Sequence, residues 1–186
     1  PEENNMFFAT TKGKTKYTDI DYSKMDEVFV LYGKETKDDS FVSKLIVEKD
    51  VTLKGKYGLA IFWDTKNGSH GASVDFYGKV DVTNNGIATN GDILNEDGPV
   101  VNIKKGAVVK STGADGVAVY CAGNGTYNIE DGATITGATG IEVRAGKLNV
   151  KGGTITGTAK KLTSKANGDG STTAGAGIAV VQHTTQ

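Results

Sequence analysis

The sequence predicts an all-β fold, a right-handed parallel β-helix in which about five coils of three short strands stack into a rod. The first observation is a repeat, because Val150-Lys-Gly-Gly-Thr-Ile-Thr-Gly157 is closely copied by Ile129-Glu-Asp-Gly-Ala-Thr-Ile-Thr-Gly137. The second is the period of 21 to 29 residues between anchor positions, which is typical of stacked repeats. The anchors are Val47, Phe76, Ile103, Ile129 and Val150. The third is the lack of a long segment with helical apolar spacing.

The first 40 residues do not follow the repeat, and we expect them to form an N-terminal cap or a degenerate first coil. Val28-Phe-Val-Leu-Tyr32 is a predicted strand, because it is apolar, rich in β-forming residues and closed by Gly33. A cap is needed because the first coil of a solenoid otherwise exposes an apolar end and bare strand edges. A flexible linker is the alternative for residues 1–16.

The β-helix itself is predicted to span residues 41–186. Each coil opens with two apolar residues two positions apart, which share one face of a strand and point inward. These pairs are Leu45 and Val47, Val74 and Phe76, Val101 and Ile103, Tyr127 and Ile129, and Leu148 and Val150. A turn follows, and then a second strand that ends at Leu53, Val82, Val109, Ile135 or Ile155.

A third strand has its own signature, a glycine followed by an apolar, a small and another apolar residue. Its copies begin at Gly58, Gly86, Gly116, Gly140 and Gly177, of which the Gly86 copy is weaker. The last coil contains a polar, glycine-rich insertion at residues 158–174, which we expect to project from the rod as a loop. Further domains of the same chain are expected beyond both ends.

Composition limits the classes of partner. The net charge is −1, and Arg144 is the only arginine, so the basic face that nucleic acid requires is not evident. No run of about 20 apolar residues is present, and we expect no membrane insertion. Cys121 is the only cysteine and is expected to be an inert core thiol rather than a nucleophile. No cofactor or metal is expected.

The repeated Gly-Gly-Thr-Ile-Thr-Gly and Gly-Ile-Ala-Val segments resemble the right-handed parallel β-helices of the pectin-lyase-like class. More narrowly, the chain is similar to the β-helical regions of large bacterial surface proteins and adhesins. The resemblance covers residues 45–186, and it implies a rod on the bacterial cell exterior that presents a face or loops to a ligand. The same scaffold carries polysaccharide lyases, hydrolases and autotransporter passengers, so fold alone does not select a function.

The outward face of the third strands is the predicted ligand-binding site. One column is expected to contain Ala60, Ala88, Ala118, Glu142 and Ala179, and its neighbour Phe62, Asn90, Tyr120, Arg144 and Val181. Aromatic and charged side chains beside an alanine floor could hold a sugar or a partner protein. The predicted ligand-binding residues are Phe62, Asn90, Tyr120, Glu142 and Arg144. The alternative is that the 158–174 insertion folds over this face and covers it.

Two further patterns bear on function. Asn102, Asn128 and Asn149, with Asp75 below, are expected to form an outward column of stacked amides with a structural role. Asp92, Glu96 and Asp97 could bind a cation, although a solvated acidic turn is the commoner arrangement. A lyase or hydrolase of this fold needs clustered carboxylates, and the third-strand face offers only Glu142 beside Arg144.

We therefore expect a non-catalytic domain of a bacterial cell-surface adhesin, which binds a host or environmental glycan or surface protein. The alternatives are a fragment of a polysaccharide-degrading lyase or hydrolase, acting through Glu142, Arg144 or the loop around Asp92, and a structural spacer without a ligand.

Overall fold

The chain forms a right-handed parallel β-helix whose coils each contribute one strand to three sheets, as predicted. A computed structural model describes residues 7–9, 29–32, 44–63, 73–91, 98–167 and 170–182, and no helix occurs among them. The loop containing Asp92, Glu96 and Asp97 lies outside the described residues. No helix in the described ranges is long and apolar enough to cross a membrane.

Each sheet collects the equivalent strands of successive coils. The first sheet contains β1 (Phe7–Ala9), β3 (Lys44–Val47), β6 (Ser73–Phe76), β9 (Val100–Ile103), β12 (Thr126–Ile129) and β15 (Lys147–Val150). The second contains β4 (Thr52–Gly55), β7 (Lys79–Val82), β10 (Val108–Ser111), β13 (Thr134–Gly137) and β16 (Thr154–Gly157). The third contains β2 (Phe29–Tyr32), β5 (Leu59–Trp63), β8 (Ile87–Gly91), β11 (Val117–Cys121), β14 (Thr139–Val143) and β19 (Ile178–Val180).

Two strands from the N-terminal 40 residues join these sheets. β1 pairs in parallel with β3, and β2 pairs in parallel with β5. The first and third sheets are thereby extended by one strand below the first coil. In the second sheet, β4 is the last strand of the described residues.

The predicted register of the first sheet is confirmed. Val47 pairs with Phe76, Phe76 with Ile103, and Ile103 with Ile129. All four side chains are fully buried, since alternate residues of each strand point into the rod. In the last coil the inward residues Val150, Ile178 and Val180 are partly exposed, because no strand of the described residues covers them.

Two predicted alignments were wrong, each by two residues. In the second sheet Val80, not Val82, pairs with Leu53 and Val109. In the third sheet Tyr120, not Ala118, pairs with Ala88. The coils differ in the lengths of their turns, and a uniform spacing cannot represent that. A slip of two residues keeps the alternation of faces along a strand, so Val119 stays on its predicted inward face. Ala118, which was predicted to point outward, is instead part of the buried core.

The longer turn of the third coil explains the slip at Tyr120. Between the second and third strands, the chain runs from Ser111 to Val119 in this coil but only from Val82 to Ile87 in the coil before. The signature at Gly116 is therefore out of phase with its equivalents. Tyr120 also pairs with Glu142 on the next coil. The predicted neighbours Tyr120 and Glu142 are thus directly side by side.

The predicted column of stacked amides is confirmed. Asn149 donates a hydrogen bond to Asn128 at 2.9 Å, Asn128 donates to Asn102 at 2.8 Å, and Asn102 donates to the Asp75 carboxylate at 2.8 Å. Lys44 closes the column with an ion pair to Asp75 at 3.2 Å. All the amides donate in the same direction, so the column is a continuous chain of hydrogen bonds that ties five coils together.

Replacing Asn128 by alanine should remove two of these bonds and lower the free energy of unfolding by about 1–3 kcal/mol. The effect is expected to be larger than that of Asn149→Ala, because Asn149 stands at the end of the column and contributes one bond to it within the described residues. Equilibrium denaturation of both variants checks this order. Equal stabilities of the two variants would contradict a cooperative column.

The Asp75 carboxylate should make part of the stability depend on pH. Burial tends to raise the pKa of Asp75, but the hydrogen bond from Asn102 and the ion pair with Lys44 outweigh burial and hold the pKa below its ordinary value. A lowered folded-state pKa stabilises the fold above the ordinary aspartate pKa of about 4, and this contribution is lost as the pH falls through the lowered value.

The matched control is Asp75→Asn, which keeps an oxygen to accept from Asn102 but cannot titrate. When the pH falls from 7 to about 3, we expect the melting temperature of the wild type to decrease more than that of Asp75→Asn. If the melting temperatures of the two proteins fall by the same amount over this pH range, Asp75 makes no such contribution.

Candidate functional site

The predicted third-strand site is brought together in part. Phe62 on β5 pairs with Asn90 on β8, so their predicted proximity along the sheet is confirmed, although their side chains lie outside the described residues. Tyr120 on β11 pairs with Glu142 on β14, and Arg144 follows immediately after β14. Sequence reasoning therefore identified a real cluster around Tyr120, Glu142 and Arg144, one column removed from the predicted position of Tyr120.

Glu142 and Arg144 form an ion pair that is closed off from solvent. Arg144 Nε donates to Glu142 Oε1 at 3.0 Å, and both side chains are 0% exposed. The Arg144 guanidinium also lies over the Tyr120 ring, 5.0 Å from its centroid, which is within the range of a cation–π contact. The ion pair therefore packs against the third sheet, and the Tyr120 ring contacts its guanidinium group.

The 158–174 insertion covers this cluster. It contains an antiparallel hairpin of β17 (Thr163–Asn167) and β18 (Gly170–Ala174), rather than the irregular loop that composition suggested. Glu142 Oε2 accepts hydrogen bonds from the Thr172 hydroxyl at 2.9 Å and from the Thr173 backbone N–H at 2.8 Å. A third, longer bond comes from the Thr173 hydroxyl at 3.3 Å.

Further contacts fix the hairpin to the rod. The Thr139 hydroxyl donates to the Thr173 carbonyl at 2.8 Å, and the Gly175 N–H donates to the Ala138 carbonyl at 2.7 Å. On the other strand, Lys165 forms an exposed ion pair with Asp115 at 3.0 Å. The alternative that the insertion folds over the third-strand face is therefore what the structure shows at Glu142. Neither charged group can contact a ligand unless the hairpin moves.

The inward side of the same sheet contains a second polar group. Thr89 and Tyr127 are buried and their hydroxyl oxygens are 2.6 Å apart, while the Tyr127 hydroxyl donates to the Gly123 carbonyl at 2.7 Å. Burial raises the pKa of Tyr127, and burial together with the negative charge of Glu142 raises the pKa of the Cys121 thiol. Cys121 is fully buried, and a protonated, inaccessible thiol fits its predicted structural role.

A groove at the corner between the second and third sheets is an open concave site that sequence reasoning missed. This corner groove has a volume of 390 Å³ and is lined by Tyr57, Asn84, Asn85, Gly113, Ala114, Asp115 and Gly116. Three successive turns build it, one from each of the first three coils. The longer turn after Ser111 forms the third wall, so the extra residues that shifted the register also shape the groove.

Backbone hydrogen bonds hold the walls of the corner groove rigidly. Asn84 N–H donates to the Lys56 carbonyl at 2.8 Å, and Gly58 N–H donates to the Asn85 carbonyl at 3.1 Å. Gly113 N–H donates to the Thr83 carbonyl at 2.9 Å, and the Ser111 hydroxyl donates to the Asn84 carbonyl. The turns are thereby stacked with the same register as the strands that flank them.

The side chains of the corner groove make fewer hydrogen bonds than its backbone. Within the described part of the chain, the amide groups of Asn84 and Asn85 make no side-chain hydrogen bond, although both residues are half-buried. Tyr57 is also half-buried, and Lys56 Nζ lies 5.6 Å from the centroid of its ring. The Asn84-Asn85 pair was a visible signal, but in sequence it is indistinguishable from an ordinary polar turn.

The chain matches no protein-family model, no curated protein and no solved structure. Its class is therefore described by its own fold and site. It is a parallel β-helix with a covered ion pair on one sheet and an open polar groove at one corner. In the described ranges no group of three or more His, Cys, Asp or Glu side chains is placed to hold a metal ion.

Proposed function

We propose that this chain is a non-catalytic binding domain of a bacterial cell-surface adhesin, located outside the cell, which presents the side of its rod to a host or environmental glycan or surface protein. The repeat pattern resembles the pectin-lyase-like β-helices of such proteins. The single observation that carries the proposal is the corner groove, an open site with rigid walls and uncommitted amides. Groups of this kind can bind a ligand without first breaking internal bonds.

The architecture supports a binding role. Three sheets of in-register parallel strands and a column of stacked amides keep the side of the rod rigid. A rigid surface loses little conformational entropy when it binds a ligand, so more of the contact energy appears as affinity. Turns that vary in length from coil to coil can then change the binding surface without disturbing the core.

The lyase or hydrolase alternative is less well supported, because it would use Glu142 and Arg144. General acid–base chemistry requires a carboxyl group within hydrogen-bond reach of the substrate. Both oxygens of Glu142 accept bonds from Arg144 and the hairpin, and the group is fully buried. The hairpin would have to leave before either residue could act on a polysaccharide.

The test is a binding screen of the fragment against a glycan array and a panel of host-matrix proteins. The variant Phe62→Ala/Tyr120→Ala is screened in parallel with Tyr57→Ala. A ligand lost only with the first variant would lie on the third-strand face, whereas a ligand lost only with the second would lie in the corner groove. The absence of any ligand in both screens would overturn the proposal in favour of a structural spacer.

A further inference from the structure

We infer that the corner groove binds a neutral oligosaccharide about two sugar units long. The inference rests on the proposed binding function and adds its site and the chemical class of its ligand. It depends on four features of the described residues: an aromatic ring, two uncommitted amides, a locally balanced charge and a length set by the coil spacing. None of these features is part of the predicted third-strand site.

The aromatic ring is Tyr57, which lies in the turn of the first coil at one end of the groove. A tyrosine ring gives a large contact area with few rotatable bonds, and the C–H face of a sugar ring packs flat against such a surface. Tyr57 is half-buried, so its ring is held in place while part of it remains exposed. An exposed ring held by neighbouring turns is suited to stacking against a ligand.

The amides of Asn84 and Asn85 supply polar recognition. Each asparagine offers two N–H donors and a carbonyl acceptor, which matches adjacent sugar hydroxyls that both donate and accept. Neither amide makes a side-chain hydrogen bond within the described residues, although both are half-buried. This contrasts with Asn102 and Asn128, whose amides each donate one bond and accept one bond in the stacked column. The groove thus contains the amides that are available to a ligand.

The charge at the groove favours a neutral rather than an acidic sugar. Asp115 is the one carboxylate among the lining residues, and it forms an ion pair with the hairpin residue Lys165 at 3.0 Å. Lys165 is already paired with Asp115, and neither Lys165 nor Lys56, whose Nζ lies 5.6 Å from the Tyr57 ring centroid, is among the lining residues. A negative ligand would also approach the Asp115 carboxylate at the groove edge, which costs electrostatic energy.

The size of the groove sets the length of the ligand. Stacked turns follow the strand spacing of about 4.8 Å, so three turns span about 10 Å, comparable with a disaccharide. The volume of 390 Å³ lies within the range of small-molecule sites. The glycines Gly113 and Gly116 line the third wall, where a Cβ would clash with the Thr83 carbonyl, so they let this turn stack closely on the turn below.

The decisive experiment measures binding of cellobiose, lactose, chitobiose and mannobiose, with digalacturonate as the acidic comparison, by isothermal titration calorimetry at millimolar sugar. We expect at least one neutral disaccharide to bind more tightly than digalacturonate. Tyr57→Ala should weaken that binding by about tenfold or more, and Asn85→Ala by about three- to tenfold. Asn85→Ala also guards against misfolding, because it removes a side chain without a hydrogen-bonded partner in the described part of the chain.

Tyr77→Ala is the matched control. Tyr77 is also a partly exposed tyrosine in a turn, with Lys104 Nζ 5.9 Å from its ring centroid, but it is not among the lining residues of the groove. We expect unchanged binding in this variant, with similar melting temperatures for all three variants. A loss of binding equal to that of Tyr57→Ala would overturn the assignment of the groove.

The outcomes separate this inference from the proposed function. Sugar binding that survives both Tyr57→Ala and Asn85→Ala would overturn the groove and leave the adhesin proposal standing. Binding of a protein ligand but of no sugar would also overturn the groove assignment and leave the adhesin proposal standing. No ligand of either kind would overturn both. Preferential binding of digalacturonate would reject the neutral class of ligand while retaining the site if Tyr57→Ala weakens it.

Discussion

Replacing Ile129 by aspartate should unfold the rod. Ile129 is the last residue of β12, where it pairs with Ile103 below and Val150 above, and its side chain is fully buried. An aspartate there would place an unpaired carboxylate in an apolar core, which costs several kcal/mol and approaches the total stability of a typical domain. Because each coil is stabilised only by its neighbours, loss of the fourth coil should leave the fifth coil without support and expose the apolar end of the third.

The experiment compares Ile129→Asp with two controls by circular dichroism and thermal denaturation. Thr126→Asp introduces the same charge on the outward side of the same strand, opposite Lys147, and should change stability little. Ile129→Val removes one methylene and should cost about 0.5–1.5 kcal/mol. A soluble Ile129→Asp protein with a cooperative transition near that of the wild type would disprove the inward position of Ile129.

Replacing Glu142 by alanine should release the hairpin and destabilise the third sheet. The change removes the acceptor for Arg144, Thr172 and Thr173 together, and removing one partner of a buried ion pair typically costs about 3–5 kcal/mol. Without these bonds the hairpin keeps only its contacts at Thr139, Gly175 and the exposed Lys165 pair. We therefore expect faster hydrogen exchange at the Thr173 and Gly175 amides and earlier proteolysis within residues 158–174.

A paired substitution separates the charge from the packing. The double variant Glu142→Leu/Arg144→Met removes both charges and keeps similar volume, and it should be more stable than Glu142→Ala because no buried charge loses its partner. Hydrogen exchange at the Thr173 amide should nevertheless stay fast, since its acceptor is gone. Slow exchange at Thr173 in Glu142→Ala would show that the carboxylate does not hold the hairpin.

The prediction for Glu142→Ala also bears on the two candidate surfaces, the third-strand face and the corner groove. If the hairpin is released in Glu142→Ala, Tyr120 and Arg144 become accessible, and a ligand of the third-strand face should bind more readily than to the wild type. A ligand of the corner groove should bind as it does to the wild type, because Tyr57 and Asn85 are unchanged. Comparing ligand binding in this variant would therefore distinguish the two surfaces.

The sequence by itself determined the fold class, the inward residues and the stacked amides. Apolar alternation at Val101 and Ile103 or Tyr127 and Ile129 selects one face of each strand, and the recurrence of this pair in every coil brings these faces together. Asn102, Asn128 and Asn149 have the same position in their repeats, so their contact follows from the stacking. These features depend on local periodicity, which a sequence displays directly.

Only the tertiary structure decided which surfaces are open. The register of Tyr120 depends on how many residues the turn after Ser111 takes up, and turn length does not follow from the repeat. The cover over Glu142 depends on where Thr172 and Thr173 come to lie, 30 residues further along the chain, and on a hairpin that alternation alone did not predict. The corner groove exists because Tyr57, Asn85 and Asp115 belong to three coils whose turns meet only after stacking. Contacts between distant turns carry no periodic signal, since each turn is separately just a polar, solvent-exposed connection.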